Sequence, residues 1–232
     1  MKFGLTQTFD CSYLPEQREQ LLVYVEENED NNAQYELLIR AGFRRSGEQI
    51  YRPHCPNCSA CESLRIPVDM FKPSKSQKRI LSKCKHLRFT YRREGLDEHY
   101  ALYDKYISER HADGSMYPPS LSQYNNFVRC SWNNPLFFEA WDGDALIAVS
   151  VVDELNEAYS ALYTYFEPTL SHLSPGKLMI LKMIEHAIEC NKDYVYLGYQ
   201  IDACQKMQYK KEFYPHERFF ANQWHRIAKK AE

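Results

Sequence analysis

The chain has 232 residues, enough for one large domain or two closely packed parts around a real core. Its formal net charge of −2 excludes a generally basic protein, so affinity for nucleic acid must come from a local concentration of charge. The opening MKFGLTQTFD lacks a signal peptide's apolar stretch, and no run of about eighteen apolar residues could span a bilayer, so a cytoplasmic location is expected.

In a reducing compartment, eight cysteines point to thiols or a metal site rather than a disulfide framework. Along the chain, an acidic run at Glu26, Glu27, Glu29 and Asp30 comes first. Asn32 to Ala41 then has the apolar content of a helix (Tyr35, Leu37, Leu38, Ile39), stopped by Gly42 at a left-handed C′ position. Phe43 to Tyr51 reads as a hairpin turning at Ser46-Gly47. Next, Cys55, Cys58 and Cys61 repeat a two-residue gap. With Cys11 folding back, four thiolates match the ligand count of a tetrahedral zinc or an iron–sulfur site; otherwise they are reduced thiols packed beside Pro53 and Pro56. Cys84, Cys130, Cys190 and Cys204 lack ligand spacing and read as core.

The chain then turns basic. From Lys72 to Arg93 it carries Lys75, Lys78, Arg79, Lys83, Lys85, Arg88 and Arg92 with no acidic residue among them. Ser74 and Gln77 form a capping-box pair at a helix start. On that helix Lys75, Lys78, Arg79 and Ser82 share one face, which suits a phosphate backbone, where each contact releases condensed counterions.

From Asp97 the pattern changes. Asp97 to His111 and Leu121 to Trp132 are amphipathic helices, the second capped by Ser120. Leu136 to Trp141 and Ala145 to Val152 flank Asp142-Gly143-Asp144 as a hairpin, and Ala158 to Phe166 is a further strand. Ser174-Pro175 opens a largely buried helix running to Cys190, as N-cap and N1. Asp193 to Ile201 is a strand leading into a Lys- and Tyr-rich tail. The order is that of an N-acetyltransferase-like (GNAT) α/β core, residues 94–232, behind a smaller cysteine-containing α/β domain, residues 1–93. In such a core two parallel strands, here 158–166 and 193–201, splay apart around the acyl donor. A CoA donor calls for a glycine-rich loop before the helix, whose N–H groups bind pyrophosphate. The loop EPTLSHLSPGK holds only Gly176, which argues against an ordinary acyl-CoA acetyltransferase.

The blocks GFRRSGEQIYRP, FKPSKSQKRIL, the helix through Arg110-His111-Ala112-Asp113, and YLGYQIDACQKMQYK resemble the arginyltransferase family of aminoacyl-tRNA–protein transferases. The short length and the C-x-x-C-x-x-C variant are similar to its bacterial branch, the aspartate/glutamate leucyltransferases. The resemblance implies leucyl-tRNA as donor and proteins beginning with Asp or Glu as acceptors, marked in this way for degradation. Alternatives are an arginyl-tRNA donor with the same acceptor, or a non-enzymatic RNA-binding or redox-sensing module. The donor is an activated ester and the nucleophile an α-amine of pKa about 7.7–8.0, so no cofactor is required for the chemistry.

Around the gap the candidates are Tyr163, Tyr199, Gln200 and Asp202, with Asp202 orienting or deprotonating the amine. An acidic acceptor residue needs a cation, and Arg44, Arg45, Lys206 and Lys210 are the options. For tRNA the candidates are Lys75, Lys78, Arg79, Lys83 and Lys85; for a metal, Cys11, Cys55, Cys58 and Cys61.

Overall fold

The structure, a computed structural model, describes residues 1–26 and 31–229; Glu27, Glu29 and Asp30 of the acidic run lie outside the described residues. Strands β1 (Phe3–Leu5), β2 (Phe9–Asp10), β3 (Arg18–Glu19) and β4 (Leu21–Tyr24) precede helix α1 (Asn31–Arg40). Gly42 ends α1 at φ +83°, a conformation that costs glycine little. The hairpin β5 (Arg44–Ser46) and β6 (Gln49–Pro53) follows, turning on Gly47 and Glu48, one residue later than expected. β1, β4, β6 and β5 form one small sheet, whose core residues Tyr35, Ile39, Phe43 and Ile50 pack with Ala158 and Tyr196.

Strand β7 (Glu62–Pro67) is not foreseen from the sequence, where the cysteine run and Pro67 obscure its alternation. Helix α2 (Lys75–Lys83) begins with the expected capping box: Ser74 N donates to Gln77 Oε1 at 2.8 Å, and Gln77 N donates to Ser74 Oγ at 3.3 Å. Strand β8 (Arg88–Arg92) leads into α3 (Asp97–Arg110) and α4 (Leu121–Val128). The second of these stops four residues short of Trp132, because Arg129 turns extended at φ −74° and ψ 152°. The remaining elements are β9 (Leu136–Asp142), β10 (Ala145–Glu154), β11 (Ala158–Phe166), α5 (Pro175–Glu189), β12 (Tyr194–Gln200), β13 (His216–Phe220) and β14 (Gln223–Ile227). Ser174 precedes α5 in a left-handed conformation, φ +56°, and makes no side-chain cap; Pro175 does occupy N1.

Eight strands form the main sheet in the order β14-β13-β7-β12-β11-β10-β9-β8. This sheet crosses the boundary expected at residue 93, since β7 and β8 come from the N-terminal part. Helix α5 covers one face through Leu178, Met179, Leu181, Met183 and Ile184. Helices α3 and α4 cover the other, with Tyr103, Ile107 and Tyr124 against Val149, Val151 and Tyr165. With both faces covered, β10 is apolar almost throughout rather than alternating.

The expected splay is present. β11 and β12 run parallel but pair only at Ala158–Tyr194, Tyr159–Val195 and Ser160–Tyr196. Beyond that point β11 stays with β10 and β12 stays with β7, so the two strands part. A register shift in β12 between Tyr196 and Gly198 accompanies the parting, with Gly198 at φ +81°.

Candidate active site

Where β11 and β12 part, carbonyl groups that would bond a neighbouring strand need other donors. Two cations supply them. Arg44, from β5, donates through Nη2 to the Ala161 carbonyl on β11. Lys210, from the short 3-10 segment Gln205–Glu212, donates through Nζ to the Tyr199 carbonyl on β12 at 2.6 Å. Gly198 sits between them: a Cβ there would lie 3.8 Å from Arg44 Nε, Arg44 Nη2 and Lys210 Nζ alike.

The gap opens into a cleft of ≈ 420 Å³. Its walls are aromatic and aliphatic, including Tyr106, Phe127, Tyr163, Ile180 and Tyr209, and its charged or titratable lining residues besides tyrosines are Arg44, Arg45, His111, Lys206 and Lys210. No Asp or Glu lines it among the described residues.

The adjacent arginines behave oppositely. Alternate residues of a strand face opposite ways, and Arg45 turns to Asp153, with Nε at 3.0 and 2.9 Å from the two carboxylate oxygens and both side chains fully buried. Burial lowers the Arg45 pKa, but Asp153 more than restores it, so the guanidinium is fixed in charge and consumed by its partner. Arg45 is therefore removed from the cations available to an acceptor. Arg44 is only 5% exposed and, among the described residues, forms no ion pair and has Nη1 buried without a hydrogen-bond partner. A buried cation in this state is costly until an anion reaches it.

Lys210 is half-buried beside that charge. Desolvation first, then repulsion from Arg44, brings its ammonium from the ordinary lysine range down to about 7, with Cys204 acting weakly the other way. Lys206 lies on the outer rim and pairs with Asp113 at 3.4 Å, both largely exposed. His111 Nε2 lies 3.2 Å from the Tyr106 hydroxyl; burial, then the Lys206 and Arg110 charges, holds its pKa down.

The four expected catalytic residues separate. Tyr163 lines the cleft, and burial pushes its phenol up. Tyr199 also lines it, but its hydroxyl is committed to the Gly42 carbonyl at 3.0 Å. Gln200 is fully buried, with Nε2 donating to Asp202 Oδ1 at 3.2 Å. Asp202 is absent from the cleft wall and pairs with Arg218 at 2.9 Å; burial raises its pKa, but the Arg218 bond and charge hold it below the ordinary carboxylate value.

All five basic candidates for tRNA are exposed, four on α2 and Lys85 just after it. Helix α2 is tied to the cleft through Gln77, whose Nε2 donates to the Glu212 carbonyl at 3.4 Å, two residues beyond Lys210.

Cys11 does fold back onto Cys55, Cys58 and Cys61. All four line one cavity of ≈ 70 Å³, together with Tyr13, Tyr51 and Tyr199, which also line the cleft. Burial, followed by the neighbouring thiols, pushes Cys61 up to about 12. Four soft sulfur donors suit zinc or an iron–sulfur cluster, although among the described residues no three ligand-type side chains stand close enough to hold an ion as placed. Tyr13, Tyr51, Met116 and Phe127 are cleft residues that sequence reading missed. Gly198 carried a signal, since a glycine inside a strand pattern marks a bulge or a close approach.

Against known families, residues 9–79 match the family model described as arginine-tRNA-protein transferase, N terminus, and residues 98–220 match its C terminus. The chain belongs to this family. A protein of Pseudoalteromonas atlantica (strain T6c) named aspartate/glutamate leucyltransferase is 50% identical over 99% of each chain. One of the same name from Aeromonas salmonicida (strain A449) is 47% identical over 100% of this chain and 98% of its own. Like other members of the arginine-tRNA-protein transferase family, the chain is an aminoacyltransferase. The solved structure of FemX matches 96% of this chain and 89% of its own, with TM-score 0.52 and 11% identity, which bears on the fold alone and agrees with a GNAT-like core. No helix among the described residues is long and apolar enough to cross a membrane.

Proposed function

We propose that this chain moves leucine from leucyl-tRNA onto the α-amine of proteins beginning with Asp or Glu, in the cytoplasm, and so marks them for degradation. The relatives' names support this reading, and one observation carries it. Among the described residues, no carboxylate lines the cleft at the strand gap, and its inner cations Arg44 and Lys210 are held by backbone carbonyls rather than by acids, within walls that are mostly apolar and aromatic. An acidic acceptor residue supplies the anion that Arg44 lacks. A leucine side chain fits the apolar wall, whereas an arginine donor would bring a further guanidinium among cations with nothing to receive it.

The chain's own residues divide the work. The exposed row on α2 takes tRNA phosphates and, through Gln77 and Glu212, is linked to the segment holding Lys206 and Lys210. Arg44 receives the acceptor carboxylate, with Lys206 at the rim drawing it in. Holding amine and ester in contact is worth ~7–11 kcal/mol. Tyr163, on the cleft wall, is the side chain we assign to donate to the developing oxyanion. Asp202, with Gln200 and Arg218, fixes the turn leaving β12.

Radiolabel transfer decides the matter. Leucyl-tRNA should label peptides beginning with Asp or Glu and spare those beginning with Lys. Arginyl-tRNA should be inert, and labelling from arginyl-tRNA alone would replace leucine by arginine. We further propose that Cys11, Cys55, Cys58 and Cys61 hold a zinc ion or an iron–sulfur cluster that stiffens the wall behind Tyr199. Protein purified without oxygen should then contain about one equivalent of zinc or show cluster absorbance. Folded, active, metal-free protein would leave them as packed thiols.

A further inference from the structure

A neutral amine attacking an ester carries one proton too many once the new bond forms, and the departing ribose oxygen carries one too few. A side chain that takes the first and returns the second must lie at the gap and hold a lone pair near neutral pH. The carboxylate expected for this role, Asp202, is bound to Arg218 outside the cleft wall. The phenol of Tyr199 is held by Gly42, and that of Tyr163 is pushed up by burial, suited to giving a proton rather than taking one.

Resting on the leucyl-transfer reading above, we propose that Lys210 is the proton carrier of the reaction. Its Nζ is anchored at the lip of the gap by the Tyr199 carbonyl, 2.6 Å away, and stands beside the register shift of β12 at Gly198. One N–H serves this anchor, so a neutral amine keeps its lone pair for the reacting atoms. The groups facing it all favour the neutral form or leave it unchanged, except one. Arg44, from β5, repels a second charge; the walls contributed by β6, β12 and its own segment offer the phenols Tyr51, Tyr199 and Tyr209; Lys206 and His111 bring further positive or neutral groups. Only Cys204, before the 3-10 segment, pulls the other way. With its ammonium brought down to about 7, a substantial fraction is free amine at physiological pH.

The step balances. The acceptor nitrogen bonds to the carbonyl carbon, and its surplus proton passes to Lys210 Nζ. The carbon–oxygen bond to ribose breaks, and the resulting ammonium gives that proton to the ribose oxygen, leaving an amide, a free hydroxyl and neutral Lys210. A carboxylate seated on Arg44 offsets the repulsion that lowers Lys210, so the correct acceptor makes the base stronger on arrival. An acceptor without that carboxylate leaves Lys210 weaker, so discrimination reaches the chemical step.

Chemical rescue tests the role. Lys210→Ala should lower single-turnover transfer from leucyl-tRNA to an Asp peptide by ~10²-fold or more, with tRNA affinity and melting temperature close to the parent. Added alkylamines of similar size should restore the rate, more so as their pKa rises, and a merely structural lysine would show no such slope. Lys210→Arg keeps the charge without an accessible lone pair and should stay slow. The proposal is overturned by a near-parental rate in Lys210→Ala, by recovery in Lys210→Arg, or by loss that no amine repairs. Failure of the parent to transfer leucine at all would instead sink the leucyl-transfer reading.

Discussion

The cations on α2 and those at the strand gap carry similar charge in opposite surroundings. Lys75, Lys78, Arg79 and Lys83 stand in water, where each is worth little alone and acts by number, drawing a polyanion through counterion release. Arg44 is out of water and Lys210 half-buried beside it, where one missing partner raises the cost of the charge and one neighbour shifts a titration. Exposure thus separates a surface that attracts from a site that selects. Within the gap, the same contrast divides Arg44 from Arg45, one awaiting an anion and the other holding Asp153.

Breaking that inner contrast should give the largest effect. Arg45→Ala strands Asp153 as a buried lone carboxylate and should cost about 3–5 kcal/mol in urea unfolding. Replacing both by Met and Leu should recover most of it, and a loss below about 1 kcal/mol would show that the pair is solvated after all. Next, Arg44→Met should cut kcat/KM for an Asp peptide by roughly 10²-fold, about 3 kcal/mol, since the acceptor carboxylate would lose a buried charged partner. Leucyl-tRNA affinity should hold; an equal loss for both ligands would move Arg44 from the acceptor to the donor.

On the outer side, changing Lys75, Lys78 and Arg79 together to Ala should reduce the log–log salt slope of tRNA binding by about 2–3 and leave folding intact. An unchanged slope would take α2 out of the RNA contact. The smallest effect is expected at Asp202, whose pair with Arg218 is half exposed. Such a pair is worth at most about 1 kcal/mol, so Asp202→Asn should keep turnover within about fivefold. A loss near 10²-fold, repaired at high pH, would return the proton to Asp202 and remove it from Lys210.

Much of this was legible beforehand, for identifiable reasons. Strands β9 to β12 and helix α5 are long, strongly patterned and bounded by turn residues, so the splayed core could be read directly. The Ser74–Gln77 box declared α2 because its chemistry is local. β7, β13 and β14 were hidden: ESLRIP, HERFF and QWHRI are short, and pairing with neighbouring strands rather than alternation makes them strands. The gap cations were all named, yet nothing local distinguishes Arg44 from Arg45 except strand parity, which says that one faces away without saying which. The setting of Lys210 depends on residues 11 to 166 positions away, such as Tyr199 and Arg44, and no window of sequence contains them together.

The brief meeting of β11 with β12 has a practical consequence for anyone dividing this chain. The family models leave residues 80–97 unmatched between them, which looks like a place to cut. Yet β12 shares three residue pairs with β11 and six with β7, so a fragment starting at residue 94 keeps the lesser half of its attachments. The hairpin β13–β14 would lose β7, the strand it pairs with among the described residues, at the same stroke. What remained would be an apolar ribbon, YVYLGYQ, bare along one side and ready to pair with copies of itself. Such a fragment should aggregate on expression, and solubility should return when residues 1–93 are supplied as a second polypeptide before folding rather than after it.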